Sequence, residues 1–326
     1  MRLIRLAVVL AVSLLVPLAA EAQQAGKIPR IGVLGNGGSP AEHPCVAALT
    51  RGLTEFGYAE GRTHMLEFRW AEQQPEKSFP RFGAEFVRLG VDLIVVTTSL
   101  GLVEAKQAMA TIPVVMAAST HPIEQRLIAS YSRPGGTITG LATFTGEMFA
   151  KRVQLMAESL PGLSRVAVLR LPGDQNDLIV RDLKMAAHRL GLALQVIEVR
   201  SGDDFPSAFQ AAVRGRAQAI MTTQGPFFLQ HLRQTAALAT KHNLPSFSGE
   251  PTAVDAGILM GSGASIPASC RRAAYYVDRI LKGAKPADLP VEQATKFDLE
   301  INQKTAKALG VTIPQTLLLQ ADRVIE

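Results

Sequence analysis

Short apolar, β-branched runs alternate with longer amphipathic stretches along nearly the whole chain, and this alternation restricts the fold more than any other feature. A strand buried on both faces reads as a continuous apolar run, and the helix returning the chain to the next parallel strand reads with a period of 3.6. The repeat therefore predicts parallel α/β sheets. In the first half the expected strands are 28–34, 65–70, 93–96 and 114–117, with helices over 41–56, 78–89 and 102–109 between them. Ser39 and Pro40 read as the cap and first turn of the opening helix. After a turn at Arg133-Pro134-Gly135-Gly136 and a short strand 138–141, the alternation starts again. A helix 146–160 leads into strands 166–170, 194–199, 219–221, 245–247 and 258–260, with helices 178–190, 204–214 and 228–242 among them. The tail breaks the pattern with a helix 266–282, a stop at Gly283-Ala284-Lys285-Pro286, an extended crossing near 289–293, a strand 296–301 and a helix 303–309. A chain that returns to a first lobe and then crosses again needs such a tail. The expectation is an α/β protein of two doubly wound, Rossmann-like parallel-sheet lobes joined by three hinge crossings. The first lobe is placed at 27–143 plus 264–289 and the second at 144–263 plus 290–326.

Residues 1–22 carry the pattern of a cleavable export signal. A basic start, Met1 to Arg5, precedes an apolar run from Leu6 to Leu18 that is interrupted only by Ser13 and Pro17. Ala20-Glu21-Ala22 then supplies a small-x-small site, placing cleavage near Ala22. The run falls short of the roughly 18 to 20 apolar residues that span a bilayer. The expected location is the periplasm. Loss of Arg2, Arg5 and Glu21 removes a net +1 from the formal +6, leaving a mildly basic +5. Lys and Arg are scattered without long basic runs or interleaved aromatics, so a nucleic-acid partner is not expected. The histidines show no zinc-like spacing and there is no Cys-x-x-Cys, so neither a metal nor a cofactor is expected. Cys45 and Cys270 stand far apart in sequence, and an oxidising compartment would allow them to pair.

Several fragments resemble the substrate-binding proteins of bacterial ABC transporters, which have the type I periplasmic-binding-protein fold. They are P-R-I-G-V-L (29–34), S-R-P-G-G-T-I-T-G-L (132–141), P-G-L-S-R-V-A-V-L (161–169), A-Y-Y-V-D-R-I-L-K-G-A-K-P-A-D-L-P-V-E-Q (274–293) and I-N-Q-K-T-A-K-A-L-G-V-T-I-P (301–314). The resemblance implies a monomeric clam-shell receptor that captures a small polar solute, such as an amino acid, between its lobes. It further implies docking onto an ABC permease and its ATPase in the inner membrane. A receptor subunit for a membrane sensor kinase is the alternative reading of the same lobes.

In open α/β sheets ligands sit at the carboxyl ends of the strands, so the candidate contacts are taken from the loops there. On the first lobe they are Asn36, Gly38, Ser39, Thr97, Thr98, Ser99, Ser119 and His121. The Thr97 to Ser99 hydroxyls and adjoining backbone N–H groups suit a carboxylate, although Ser99 also reads as a plain helix cap. Asn36 to Ser39 fails as a dinucleotide loop, because Pro40 stands where a third small residue is needed. His121 occupies the place where relatives commonly carry Asp before a proline, and a histidine supplies no fixed negative charge to an ammonium group. On the second lobe the candidates are Asp174, Gln224, Phe227 and Glu250. Gln224 and Phe227 suggest an amide beside an aromatic wall, and Glu250 with Asp255 are the acids best placed to meet an amine. No catalytic residue is expected, since Gly-x-Ser-x-Gly is absent and Gly261-Ser262-Gly263 lacks the elbow spacing.

Overall fold

The computed structural model describes residues 28–36, 39–71, 75–107, 109–143, 146–294 and 296–326. The expected export signal therefore lies outside the described residues. The chain builds two sheets. The first contains β1 (Arg30–Asn36), β2 (Met65–Ala71), β3 (Leu93–Val96), β4 (Val114–Met116), β5 (Ile138–Ala142) and, from the tail, β11 (Glu292–Gln293), in the order β11-β5-β4-β3-β1-β2. All of its pairings are parallel. The second contains β6 (Arg165–Arg170), β7 (Ala193–Glu198), β8 (Ala219–Thr222), β9 (Ser246–Ser248), β10 (Met260–Ala264), β12 (Phe297–Asn302) and β13 (Arg323–Ile325). Its order is β13-β12-β10-β9-β8-β6-β7, parallel except where β12 runs against β10. The architecture is the expected pair of parallel-dominated sheets.

Burial explains the continuous apolar runs. Leu93 and Val95 of β3 face one core while Ile94 and Val96 face another, so the first sheet is covered on both sides. Val166 and Val168 are divided from Ala167 and Leu169 in the same way on β6. The covering helices of the first lobe are α1 (Pro44–Glu55), α2 (Pro75–Leu89) and α3 (Ser99–Ala105). Those of the second begin with α4 (Gly146–Ser159), α5 (Asp174–Arg189), α6 (Phe205–Arg214), α7 (Pro226–Gln230) and α8 (Leu232–Lys241). The helix expected over 228–242 is thus two helices meeting at His231. The tail adds α9 (Ile266–Leu281), α10 (Gln303–Ala308) and α11 (Gln315–Gln320).

The opening helix starts later than Ser39 predicts. Ser39 precedes a 3₁₀ turn, Pro40–Glu42, without donating or accepting a capping bond, and it is exposed. His43 caps α1 instead, its Nδ1 accepting from the Cys45 N–H at 3.3 Å, with Pro44 at the first helical position.

The chain passes between the sheets three times, between β5 and α4, between β10 and α9, and between β11 and β12. The third passage follows β11 rather than preceding it, because Glu292 and Gln293 pair with Leu141 and Ala142 of the first sheet. Backbone bonds tie these passages together: the Ala294 N–H donates to the Ala142 carbonyl at 2.9 Å and the Ser265 N–H to the Lys296 carbonyl at 3.1 Å.

Helix α9 returns to the first lobe and packs along α1. A Cβ at Gly52 would lie 2.5 Å from the Arg271 carbonyl oxygen, so glycine is what permits the two helices to approach this closely. Cys45 on α1 and Cys270 on α9, with Cα atoms 5.2 Å apart, are joined by a disulfide. The cross-link spans 225 residues of sequence and ties the returning tail to the first helix. Replacing both cysteines with alanine is expected to lower unfolding stability by about 2 to 5 kcal/mol, read as an earlier urea midpoint. A midpoint equal to that of the oxidised parent would show that the bond does not constrain the unfolded chain.

Candidate functional site

Each sheet has a topological switch point, where successive crossovers leave in opposite directions and a crevice opens at the carboxyl ends of two adjacent strands. In the first sheet it lies between β1 and β3, and in the second between β6 and β8. Buried polar atoms without a hydrogen-bond partner collect at these ends: Asn36 Oδ1 closing β1, Ser119 Oγ and His121 Nδ1 after β4, Thr222 Oγ1 closing β8, and Gln224 Nε2 just beyond it. Buried polar groups are nearly always paired, so these ends, where the two lobes face each other, are the candidate site for a ligand.

The second lobe contributes a residue that the sequence reading missed. Arg152, on α4, is 1% exposed. Its Nε donates to the Ser262 carbonyl oxygen at 3.0 Å and its Nη1 to Gln224 Oε1 at 3.0 Å, while Nη2 has no partner. The guanidinium carbon lies 5.5 Å from the centroid of the Phe149 ring. A Cβ at Gly249 would come within 2.9 Å of Nη1, so this glycine makes room for the guanidinium. Burial pulls the Arg152 pKa down from 12.5 to about 10, with Glu250 opposing the change. The side chain stays charged at neutral pH at a cost of about 3 kcal/mol. Nη2 and the Gln224 amide are thus neighbouring donors with nothing to donate to, an arrangement suited to a carboxylate. The signal was present in the sequence: Arg152 stands in the buried stripe of Met148, Phe149, Val153 and Met156, where a charge must have a reason.

Glu250 does not serve as an open acid for an amine. It faces Arg152, and its carboxylate accepts from the Gly225 N–H. Desolvation raises its pKa, and the Arg152 charge and the Gly225 bond only partly offset this. Asp255 is exposed and paired with Arg323 on the outer edge, remote from the strand ends. Phe227 is not a wall beside Gln224 either. Its ring stands 4.6 Å from that of His231 and 5.2 Å from that of Phe228, within the outer core of the second lobe.

The hydroxyls of Thr97 to Ser99 are already engaged. Thr97 Oγ1 donates to the Leu34 carbonyl oxygen at 3.3 Å. Thr98, not Ser99, caps α3 by accepting from the Gly101 N–H at 2.9 Å. Ser99 Oγ accepts from the Thr120 N–H at 2.8 Å, joining the loops after β3 and β4. Gly38 lies outside the described residues. Asp174 is the first residue of α5, preceded by Gly173 at φ 116°. Of the expected contacts, the structure therefore brings unpaired polar atoms to the strand ends at Asn36, Ser119, His121 and Gln224.

His121 makes a direct contact between the lobes. Its Nε2 lies 2.7 Å from Asp182 Oδ2 on α5, and both side chains are 5% exposed. Its ring is stacked on Phe149, with centroids 6.0 Å apart. Glu124 and Arg181 add a second, longer contact between the lobes at 3.7 Å. Phe149 consequently has His121 of one lobe and Arg152 of the other as neighbours.

Because the folded Glu250 holds its proton to higher pH than the unfolded chain does, stability is expected to fall as pH rises from its ordinary value through the raised one. Glu250→Gln removes that titration. Urea unfolding at pH 4 and pH 8 should show the variant gaining on the parent as pH rises, and an unchanged difference would contradict the buried setting of the carboxyl.

Comparisons with known proteins identify the family. A curated tyrosine-binding protein from Clostridioides difficile (strain R20291) is 23% identical over 275 residues, covering 83% of this chain and 79% of that protein. Among solved structures, an ABC domain in complex with L-Trp from Streptococcus pneumonia matches with a TM-score of 0.84 and 25% identity, over 92% of this chain and 100% of that one. A conserved domain protein from Vibrio cholerae matches with a TM-score of 0.83 and 27% identity, over 91% of this chain and 100% of that one. The sequence model of the family described as ABC transporter substrate binding protein matches residues 31–325, and the chain belongs to that family.

Proposed function

We propose that this protein is an extracytoplasmic receptor for an α-amino acid, which it closes around between its two lobes and delivers to an ABC importer. The observation that carries the reading is the donor pair of Arg152 Nη2 and Gln224 Nε2, buried and without partners in the second lobe. A buried guanidinium with a free N–H recovers its desolvation cost by binding a carboxylate, and a bidentate fit selects that group over a neutral amide. A relative described as a tyrosine-binding protein and a structural relative in complex with L-Trp support an amino acid over other carboxylates.

Ligand capture would be coupled to closure through the shape of the site. The carboxylate donors lie in the second lobe, while Asn36, Ser119 and His121 lie in the first. A solute contacts both sets only when the lobes meet, so binding shifts the population towards the closed form that a permease would recognise. In this reading the protein acts as a receptor rather than a catalyst, and the expected export signal would put it where solute arrives.

A thermal-shift screen of the amino acids tests the ligand class. An amino acid at a hundredfold excess over its dissociation constant should add about 2.7 kcal/mol to stability. Its amide and its decarboxylated amine should add none. Silence across the amino acids would overturn the reading. Arg152→Met should reduce affinity for the carboxylate ligand by about a hundredfold or more in calorimetry, and it should also lower the unfolding midpoint of the empty protein, because Glu250, Gln224 Oε1 and the Ser262 carbonyl lose their buried partner. Retained affinity in Arg152→Met would place the carboxylate elsewhere.

A further inference from the structure

We infer that His121 is the group that recognises the ligand's ammonium, as a neutral imidazole whose Nδ1 lone pair accepts from it, with Asp182 of the opposite lobe as the positioning residue that fixes this tautomer. The inference rests on the amino-acid reading above.

Nε2 of His121 lies 2.7 Å from Asp182 Oδ2 in a contact closed to water. An ionised carboxylate only accepts, so Nε2 carries a hydrogen. That leaves Nδ1, which is buried and has no partner. The residue is held at φ 50°, a backbone conformation rare outside glycine, so the ring's position is imposed by its surroundings rather than by local preference. Phe149, stacked on the ring, fixes its plane.

The charges around the imidazole decide whether Nδ1 is a donor or an acceptor. Asp182 already has a cationic partner, because Arg181 Nε and Nη2 lie 3.0 and 2.9 Å from its Oδ1. Glu124, in the loop carrying His121, faces Arg181 rather than the imidazole. Arg152 stands beyond Phe149 and places a second positive charge nearby. Nδ1 therefore presents a lone pair, and the partner it lacks is an N–H donor. An ammonium supplies one, while Arg152 and Gln224 hold the carboxylate at the other end of the zwitterion. Negative charge is delivered to the ammonium indirectly, from Asp182 through the ring, which is the polarisation that a carboxylate exerts on a histidine acting as a ligand.

Protonation of the imidazole converts Nδ1 from acceptor to donor and sets a positive charge against the ammonium. Affinity for an amino acid is then lost on acidification. A desamino analogue has no ammonium to repel and does not share the loss.

Isothermal titration from pH 8 to pH 5 with L-tyrosine and L-tryptophan, and with 3-(4-hydroxyphenyl)propionate and indole-3-propionate, tests this directly. The expected result is a fall of about tenfold per pH unit at the acid end for the amino acids only. His121→Asn tolerates the positive φ and offers Oδ1 as a non-titrating acceptor, so it should keep amino-acid binding within about tenfold and flatten the profile. Asp182→Asn should weaken amino-acid binding at pH 8 and leave the propionates unchanged. Equal slopes for amino acids and propionates, or a slope that persists in His121→Asn, would overturn the role of His121 and leave the amino-acid reading standing. Failure of every amino acid to bind at pH 8 would overturn both.

Discussion

A parallel strand covered by helices on both faces has only its ends left for chemistry. The strands of both sheets meet this condition, with successive residues of β3 and of β6 directed into different cores. Every polar group that is to meet a solute is thereby driven to the carboxyl ends, and the crossover connections decide which ends open. The three passages between the sheets then bring two such sets of ends face to face. The disulfide between α1 and α9 and the close approach at Gly52 bind the tail to the first lobe, so that the third passage leaves from a fixed place.

Within that frame the buried guanidinium of Arg152 organises the second half of the site. Gly249 leaves it space, Ser262 and Gln224 take two of its donors, and Glu250 supplies the opposing charge. The arrangement is costly in an empty protein, because a charge has been taken from water and one terminal nitrogen left without a partner. Such a cost is reasonable where a ligand recovers it. The first lobe answers with His121, which touches Asp182 across the boundary, so the two halves are linked through Phe149 as well as through the backbone passages.

How much of this was legible depended on the range of the interaction that decides it. Strand and helix placement follows from apolar periodicity over a few residues, and the first-lobe strands read at 65–70 and 93–96 coincide with β2 and β3 within a residue. Local capping was harder: Ser39 and Pro40 match the N-terminal signature, but His43 and Pro44 match it as well and lie where α1 packs. Among the candidate residues, Asn36, Ser119, His121 and Gln224, which carry unpaired buried atoms, could be proposed because strand ends can be read from a sequence. Thr97 to Ser99 looked equally suitable, and only their hydrogen bonds to Leu34, Gly101 and Thr120 show that they hold the loops together. Arg152 and Asp182 were passed over because both sit inside helices, although a charge in an apolar stripe is a visible anomaly.

The sequence by itself determined the two parallel-sheet lobes, the extra crossing of the tail and the family, because these rest on periodicity and on motifs contiguous in the chain. The tertiary structure alone decided which polar atoms remain unpaired, that Glu250 answers Arg152 rather than a ligand, and that His121 meets Asp182, 61 residues further along. Those outcomes depend on distances of about 3 Å between residues far apart in the chain, and hydrogen bonding at that range is set by how the lobes pack rather than by any local pattern.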